Sequence, residues 1–213
     1  MPRHQHYGLP ARGETYYAGQ GGIPTASAQY ANSVYDEGKT QTFKDNVPST
    51  AATGAKQRRT DRDVVCELVR NVGAAALTPG RLVTYAAGYY HKRVDGYCTE
   101  NYQSCAGVID EHLPAAGCPV HDLCWIVVSG PTLVKTPLEA DATNVFSEGT
   151  HLVALTAATS GATTSGRPQP MVATSSVTDT NTQLLNRIGV ALSAKTTGNT
   201  NVDMLVNIEI LKN

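Results

Sequence analysis

The sequence predicts a mainly β fold, a β-barrel or β-sandwich of about eight to ten short strands, carried behind a long extended N-terminal arm. Three observations predict it. After residue 60, short apolar runs recur between links rich in Gly, Pro and Thr. Charged residues make up only 16% of the 213-residue chain, well under the roughly 25% usual for soluble domains, and Thr, Ser, Gly and Asn fill the balance. Before residue 60 the aliphatic residues almost vanish, with Leu9 and Ile23 the sole Leu and Ile.

That composition divides the chain into an arm, 1–60, and a β domain, 61–213. The arm shows no sustained apolar period, and a segment so poor in aliphatic side chains cannot bury a core of its own. It does carry aromatics: Tyr7, Tyr16, Tyr17, Tyr30, Tyr35 and Phe43. Fully extended, sixty residues reach up to ~200 Å, enough to cross a neighbouring subunit.

The domain is read in chain order. Val64, Cys66 and Leu68 alternate with Val65, Glu67 and Val69 as a strand. The turn signal Thr78-Pro79-Gly80 precedes a second strand over Leu82–Ala86. Short strands are expected over Arg93–Cys98 and Cys105–Asp110. The continuous apolar run Leu123–Ser129 suits a strand covered on both faces, and Gly130-Pro131 is expected to turn it into a hairpin with Thr132–Lys135. At Thr136-Pro137-Leu138-Glu139, Thr as cap, Pro first and Glu third form a capping box for a short helix to Asn144; turn chemistry reads the same way. Strands over His151–Thr156, Arg187–Ser193 and Val202–Leu211 complete the set. In the last, Val202, Met204, Val206, Ile208 and Ile210 share one face, with Asp203, Asn207 and Glu209 on the other.

Charge and composition exclude several function classes. A net charge of −1 provides no overall basic field for nucleic acid or an anionic membrane. The one basic cluster, Lys56 to Arg62 with Arg58 and Arg59 at its centre, is partly neutralised by Asp61 and Asp63 and lacks interleaved aromatics. It reads as an exposed hinge or a salt-linked contact with an acidic partner. The strongest apolar run, Leu123–Val128, is far shorter than the ~18–20 residues of a membrane span. Met1-Pro2-Arg3-His4-Gln5-His6 leads into no apolar segment, so no secretory signal is expected and the thiols are expected to be reduced.

Catalytic and metal motifs are sparse. Cys118 and Cys124 flank His121 at C-x2-H-x2-C spacing, with Cys98 and Cys105 upstream. Zinc requires four ligands in a tetrahedron, while Cys124 heads an apolar strand, where a thiol behaves as a small buried hydrophobe. Packed free thiols are therefore favoured over zinc or a Cys98–Cys105 disulfide, and no metal or cofactor is expected. Asp110-Glu111-His112 could serve acid–base chemistry or a hard cation, but a polar strand end before Leu113-Pro114 is the favoured reading. No nucleophile elbow, zincin, Walker A or dinucleotide motif occurs. No enzymatic activity is expected.

The stretches Val69–Val83, Arg93–Tyr97, Ala106–Glu111, Trp125–Pro131 and Asn186–Thr197 resemble tailed-bacteriophage capsid cement, or head decoration, proteins. The resemblance covers roughly residues 45–210, rests on strand-and-turn patterns, and does not include the Cys-rich stretch from Cys98 to Cys124. It implies a non-enzymatic virion protein on the outer capsid surface, trimeric, that clamps neighbouring major capsid subunits. The arm would then bind the capsid, with Tyr16, Tyr17, Tyr30, Tyr35 and Phe43 as anchors, aided by Arg58 and Arg59. Neither nucleic acid nor membrane is an expected partner. The competing readings are another virion component (major capsid subunit, head fibre base or tail protein), or a β-fold enzyme or carbohydrate-binding module.

Overall fold

A computed structural model describes residues 12–13, 37–46, 58–100, 104–136, 145–155, 165–171, 177–196 and 203–210. The described elements are β1 (Thr40–Asn46), β2 (Arg58–Asn71), β3 (Leu82–Tyr85), β4 (Arg93–Tyr97), β5 (Gly107–Ile109), β6 (Leu123–Lys135), β7 (His151–Ala154), β8 (Pro168–Pro170), α1 (Val177–Leu185), β9 (Gly189–Ala191) and β10 (Asp203–Glu209). The mainly β expectation holds. All ten strands belong to one sheet, in the order β1-β2-β4-β3-β5-β6-β10-β9-β7-β8. The sheet as a whole does not close into a barrel. Within it, β2 pairs with both β4 and β6, so the pairings β2-β4-β3-β5-β6 return to their start.

β2 and β6 form the wall between two cores. Along β6, Leu123, Trp125 and Val127 face one cluster with Val64, Cys66 and Leu68 of β2 and with Met204, Val206 and Ile208 of β10. Cys124, Ile126 and Val128 face the other, with Val69, Leu77, Val83, Val94 and Ile109. Successive side chains on a strand point to opposite faces, so an unbroken apolar run is what a two-sided wall requires. The run at Leu123 meets that requirement, as expected. The described part of β10 also alternates as expected, with Met204, Val206 and Ile208 buried.

Three features depart from the sequence expectations. Gly130-Pro131 does not begin a hairpin; β6 continues through it to Lys135. Gly130 sits at φ +98°, where a side chain would run into the Asp63 carbonyl of β2. The strand bends there and exchanges partners, from β2 over Leu123–Ser129 to β10 over Ser129–Lys135. Pro131 is tolerated within this ladder opposite Asn207. The second departure lies at the N-terminal side, where β2 begins at Arg58 and β1 pairs with it antiparallel. The sheet thus takes in residues 40–46 and 58–60, which composition assigns to the arm, and the described part of the basic cluster, 58–62, is strand rather than hinge. The third is α1, a Thr-rich helix that no apolar periodicity announces. Apart from Thr136, the capping box at Thr136-Pro137-Leu138-Glu139 and the short helix expected to Asn144 lie outside the described residues.

Candidate interaction surface

Two arginines and three carboxylates join the N-terminal segment to the domain. Asp110 and Glu111 follow β5 directly, and Asp45 lies near the end of β1. Arg59, at the start of β2, reaches Glu111 with both terminal nitrogens, at 2.9 and 2.8 Å, and Asp45 at 2.6 Å. Thr60 Oγ1 donates to Asp45 at 2.7 Å, and Thr132 Oγ1 to Glu111 at 3.1 Å. Arg12 donates to Asp110 Oδ1 through Nε and a terminal nitrogen, at 3.0 and 2.8 Å. The Gly13 amide donates to Asp110 Oδ2 at 2.8 Å. Gly13 has φ +85°, and a Cβ there would lie 2.8 Å from the His112 carbonyl. Only glycine lets the backbone come this close. Bidentate arginine–carboxylate geometry of this kind combines charge with directional hydrogen bonds.

These contacts assign a role to Asp110-Glu111-His112. The two carboxylates spend their acceptor capacity on Arg12, Arg59, Gly13 and Thr132, which ties them to structure. Burial, followed by the positive field of Arg12, lowers the pKa of the His112 imidazole below its usual 6.5, so it favours the neutral form.

A second fastening sits at the beginning of β1. Glu37 accepts from Nε of the fully buried Arg70 and, at 3.0 Å, from Nε of Arg93. Arg70 also donates to the His121 carbonyl at 2.8 Å. The Gly38 amide donates to the Leu68 carbonyl at 2.7 Å, and the Leu68 amide to the Lys39 carbonyl at 2.9 Å, so the ladder starts immediately after Glu37. Phe43 then meets the buried Trp125 edge-on, with ring centroids 5.3 Å apart.

The β3–β4 hairpin presents the largest exposed aromatic side chains among the described residues, Tyr89 at 47% and Tyr90 at 67% exposure. Beneath them, Tyr85 donates its hydroxyl to the buried Glu67 at 3.0 Å. His91 Nδ1 lies 3.2 Å from that hydroxyl and 3.3 Å from Glu67 Oε2. Burial, together with the Glu67 charge, raises the Tyr85 pKa, so the phenol stays protonated as the donor. Arg93 stacks over the Tyr89 ring at 4.3 Å, and Tyr85 meets Tyr90 edge-on at 6.0 Å. A hydrogen-bonded polar triad thus supports an exposed tyrosine pair, a composition typical of contact hot spots.

The residues expected to bind a partner separate into three groups. Tyr16, Tyr17, Tyr30 and Tyr35 lie outside the described residues. Arg58 opens β2 opposite Asn46. Phe43 and Arg59 make their contacts within this chain, with Trp125 and with Asp45 and Glu111, because β1 is a strand of the sheet. Sequence reasoning missed Arg12, Glu37 and the Tyr89-Tyr90 pair. Only the pair left a signal, as adjacent tyrosines just after Ala87-Gly88 between two expected strands. All five cysteines are buried thiols, and among the described residues no three His, Cys, Asp or Glu side chains are grouped to hold a metal ion. No described helix is long and apolar enough to cross a membrane. No protein-family model matches the chain, and no curated protein matches it.

Proposed function

We propose that this chain is a non-enzymatic structural virion protein that decorates the outer surface of a tailed-phage capsid and cements neighbouring major capsid subunits, acting as a trimer. One observation carries the reading beyond the sequence resemblance. Arg12–Gly13 and Glu37–Gly38 are both fixed to the domain, and Tyr16, Tyr17, Tyr30 and Tyr35 all fall between those two points. The length of chain between them therefore allows no more than roughly 40 Å of extension beyond the two attachment points, against ~200 Å for a free sixty-residue arm. Such a tether suits a partner in the same shell, one subunit away. Several modest contacts from each of three chains would add by multivalency. The Tyr89-Tyr90 hairpin supplies a further contact on a hydrogen-bonded support. The carboxylates best suited to chemistry are meanwhile engaged in holding the tether.

The test is occupancy on DNA-filled heads of the phage that encodes the chain, prepared without it. Added full-length protein is expected to bind at close to one copy per capsid subunit and to raise resistance to heat and EDTA. Replacing Tyr16, Tyr17, Tyr30 and Tyr35 together by Ala is expected to abolish occupancy while leaving the melting temperature of the free protein unchanged. Failure of the full-length chain to bind such heads overturns the proposal.

A further inference from the structure

We infer that Cys98 and Cys105 are a built-in cross-linking site that closes to an intrachain disulfide on exposure to a small-molecule disulfide. Their sulfurs lie 2.8 Å apart, less than ~1 Å beyond the ~2.05 Å of the bond. Cys98 follows β4 directly, and Cys105 stands two residues before β5. These are the strands that flank β3 on either side. The backbone fixes both residues from that shared neighbour: the Cys98 amide donates to the Leu82 carbonyl at 3.1 Å, and the Ala106 amide to the Val83 carbonyl at 2.8 Å. The Gly166 amide holds the Cys98 carbonyl at 2.6 Å. The thiols thus meet because the ladder brings them together, and both belong to the core that contains Trp125. Closing the bond ties β4 to β5 across β3.

The chemistry is two successive exchanges. Cys105, 4% exposed against 0% for Cys98, attacks one sulfur of the reagent disulfide and releases one reagent thiol, leaving a mixed disulfide. Cys98 then attacks the Cys105 sulfur and releases the second reagent thiol. The two cysteines lose two electrons, the reagent disulfide gains them, and the two cysteine protons leave with the two reagent thiols. Burial, and then the neighbouring Cys105, raise the Cys98 pKa. Exchange in the folded protein is therefore slow, and it is driven best during refolding or at mildly alkaline pH. Cys118 and Cys124 are the competing pair: their side chains also meet, and Cys118 Sγ lies 3.6 Å from the Pro119 and Asp122 carbonyls, much as Cys98 Sγ lies 3.3 Å from the Val83 carbonyl.

The experiment refolds the full-length chain with oxidised glutathione and counts thiols by alkylation under denaturing conditions, with peptide mapping by mass spectrometry. Three alkylated cysteines, a mass lower by about 2 Da and a Cys98–Cys105 linked peptide are expected, because two thiol hydrogens leave. The oxidised form is expected to melt about 5–10 °C higher than the reduced form. Cys98→Ser and Cys105→Ser are each expected to remove both effects, and Cys118→Ser neither. Five alkylated cysteines after oxidative refolding, or a bond mapped to Cys118–Cys124, overturns the inference. As a safeguard against failed refolding, the native protein is incubated with the same reagent at pH 8.5, where an unchanged thiol count after prolonged exposure is equally fatal.

Discussion

The N-terminal segment is fastened to the domain twice, by two different kinds of physics. At Thr40–Asn46 it is a strand: backbone hydrogen bonds run along β2, and Phe43 packs on Trp125. At Arg12–Gly13 it is held by one buried carboxylate, Asp110, through two guanidinium bonds and one amide bond. The strand is part of the cooperative fold and should separate only when the domain unfolds. The arginine clasp rests on side-chain contacts outside the ladder and is expected to open while the sheet stays in place, as locally held regions of proteins do.

The contrast can be broken most severely at Trp125. Trp125→Ala removes the ring against which Phe43 rests and is expected to cost about 3–5 kcal/mol, read from urea unfolding midpoints. Phe43→Ala, at a half-buried ring, should cost about 2 kcal/mol and unfold in the same single transition. A separate early transition for β1 would make both attachments local. Asp110→Asn is expected to lower global stability by about 1–2 kcal/mol but to accelerate tryptic cleavage after Arg12 at least tenfold. A cleavage rate unchanged from the parent would remove the clasp from this account.

The smallest effect is that of His112, which faces Arg12, Arg59, Asp110 and Glu111. Its folded-state pKa is depressed below 6.5, so the unfolded chain takes up the proton first. Stability should therefore fall as pH drops from 6.5 towards the folded-state value, and His112 should contribute no slope above 6.5. His112→Gln should flatten that part of the profile of unfolding midpoint against pH. On the alkaline side, burial pushes the Cys66 thiol up to about 12. Its contribution is complete below 9.0, the ordinary value, and declines as pH rises towards 12; Cys66→Val should remove that decline.

Much of the sheet was legible because apolar alternation is a property of the chain itself. The alternation at Met204–Ile208 and the unbroken run at Leu123 each correspond to a strand whose burial matches the pattern, whereas the alternation at Val64–Val69 separates two faces that are both covered, with Glu67 and Val69 as buried as Cys66 and Leu68. β1 escaped for a definite reason. Its inward positions are Gln41, Phe43 and Asp45, and Asp45 is buried only because Arg59 and Thr60 meet it. A pattern of apolar residues cannot register a strand whose inward face is stabilised by an ion pair. The continuation of β6 past Pro131 was hidden for a related reason, since Gly-Pro signals a turn locally and only the approach of Asp63 makes it a bend. The clasp depends on Arg12 and Asp110, ninety-eight positions apart, and no local spacing encodes such a meeting. The resemblance to cement proteins concerns strands and turns, and so it gave no indication of Arg12 or of the Tyr89-Tyr90 support.

A strand with apolar residues on both faces invites misthreading, because a slip of one position exchanges one apolar set for another at little hydrophobic cost. The wall formed by β6 guards against this by bulk. Such a slip would carry the indole of Trp125 to the side now shared by the small thiols of Cys118 and Cys124, and would leave Phe43 facing a smaller neighbour. One oversized ring in the middle of the longest apolar run therefore acts as a gauge pin, fixing alignment where greasiness alone could not.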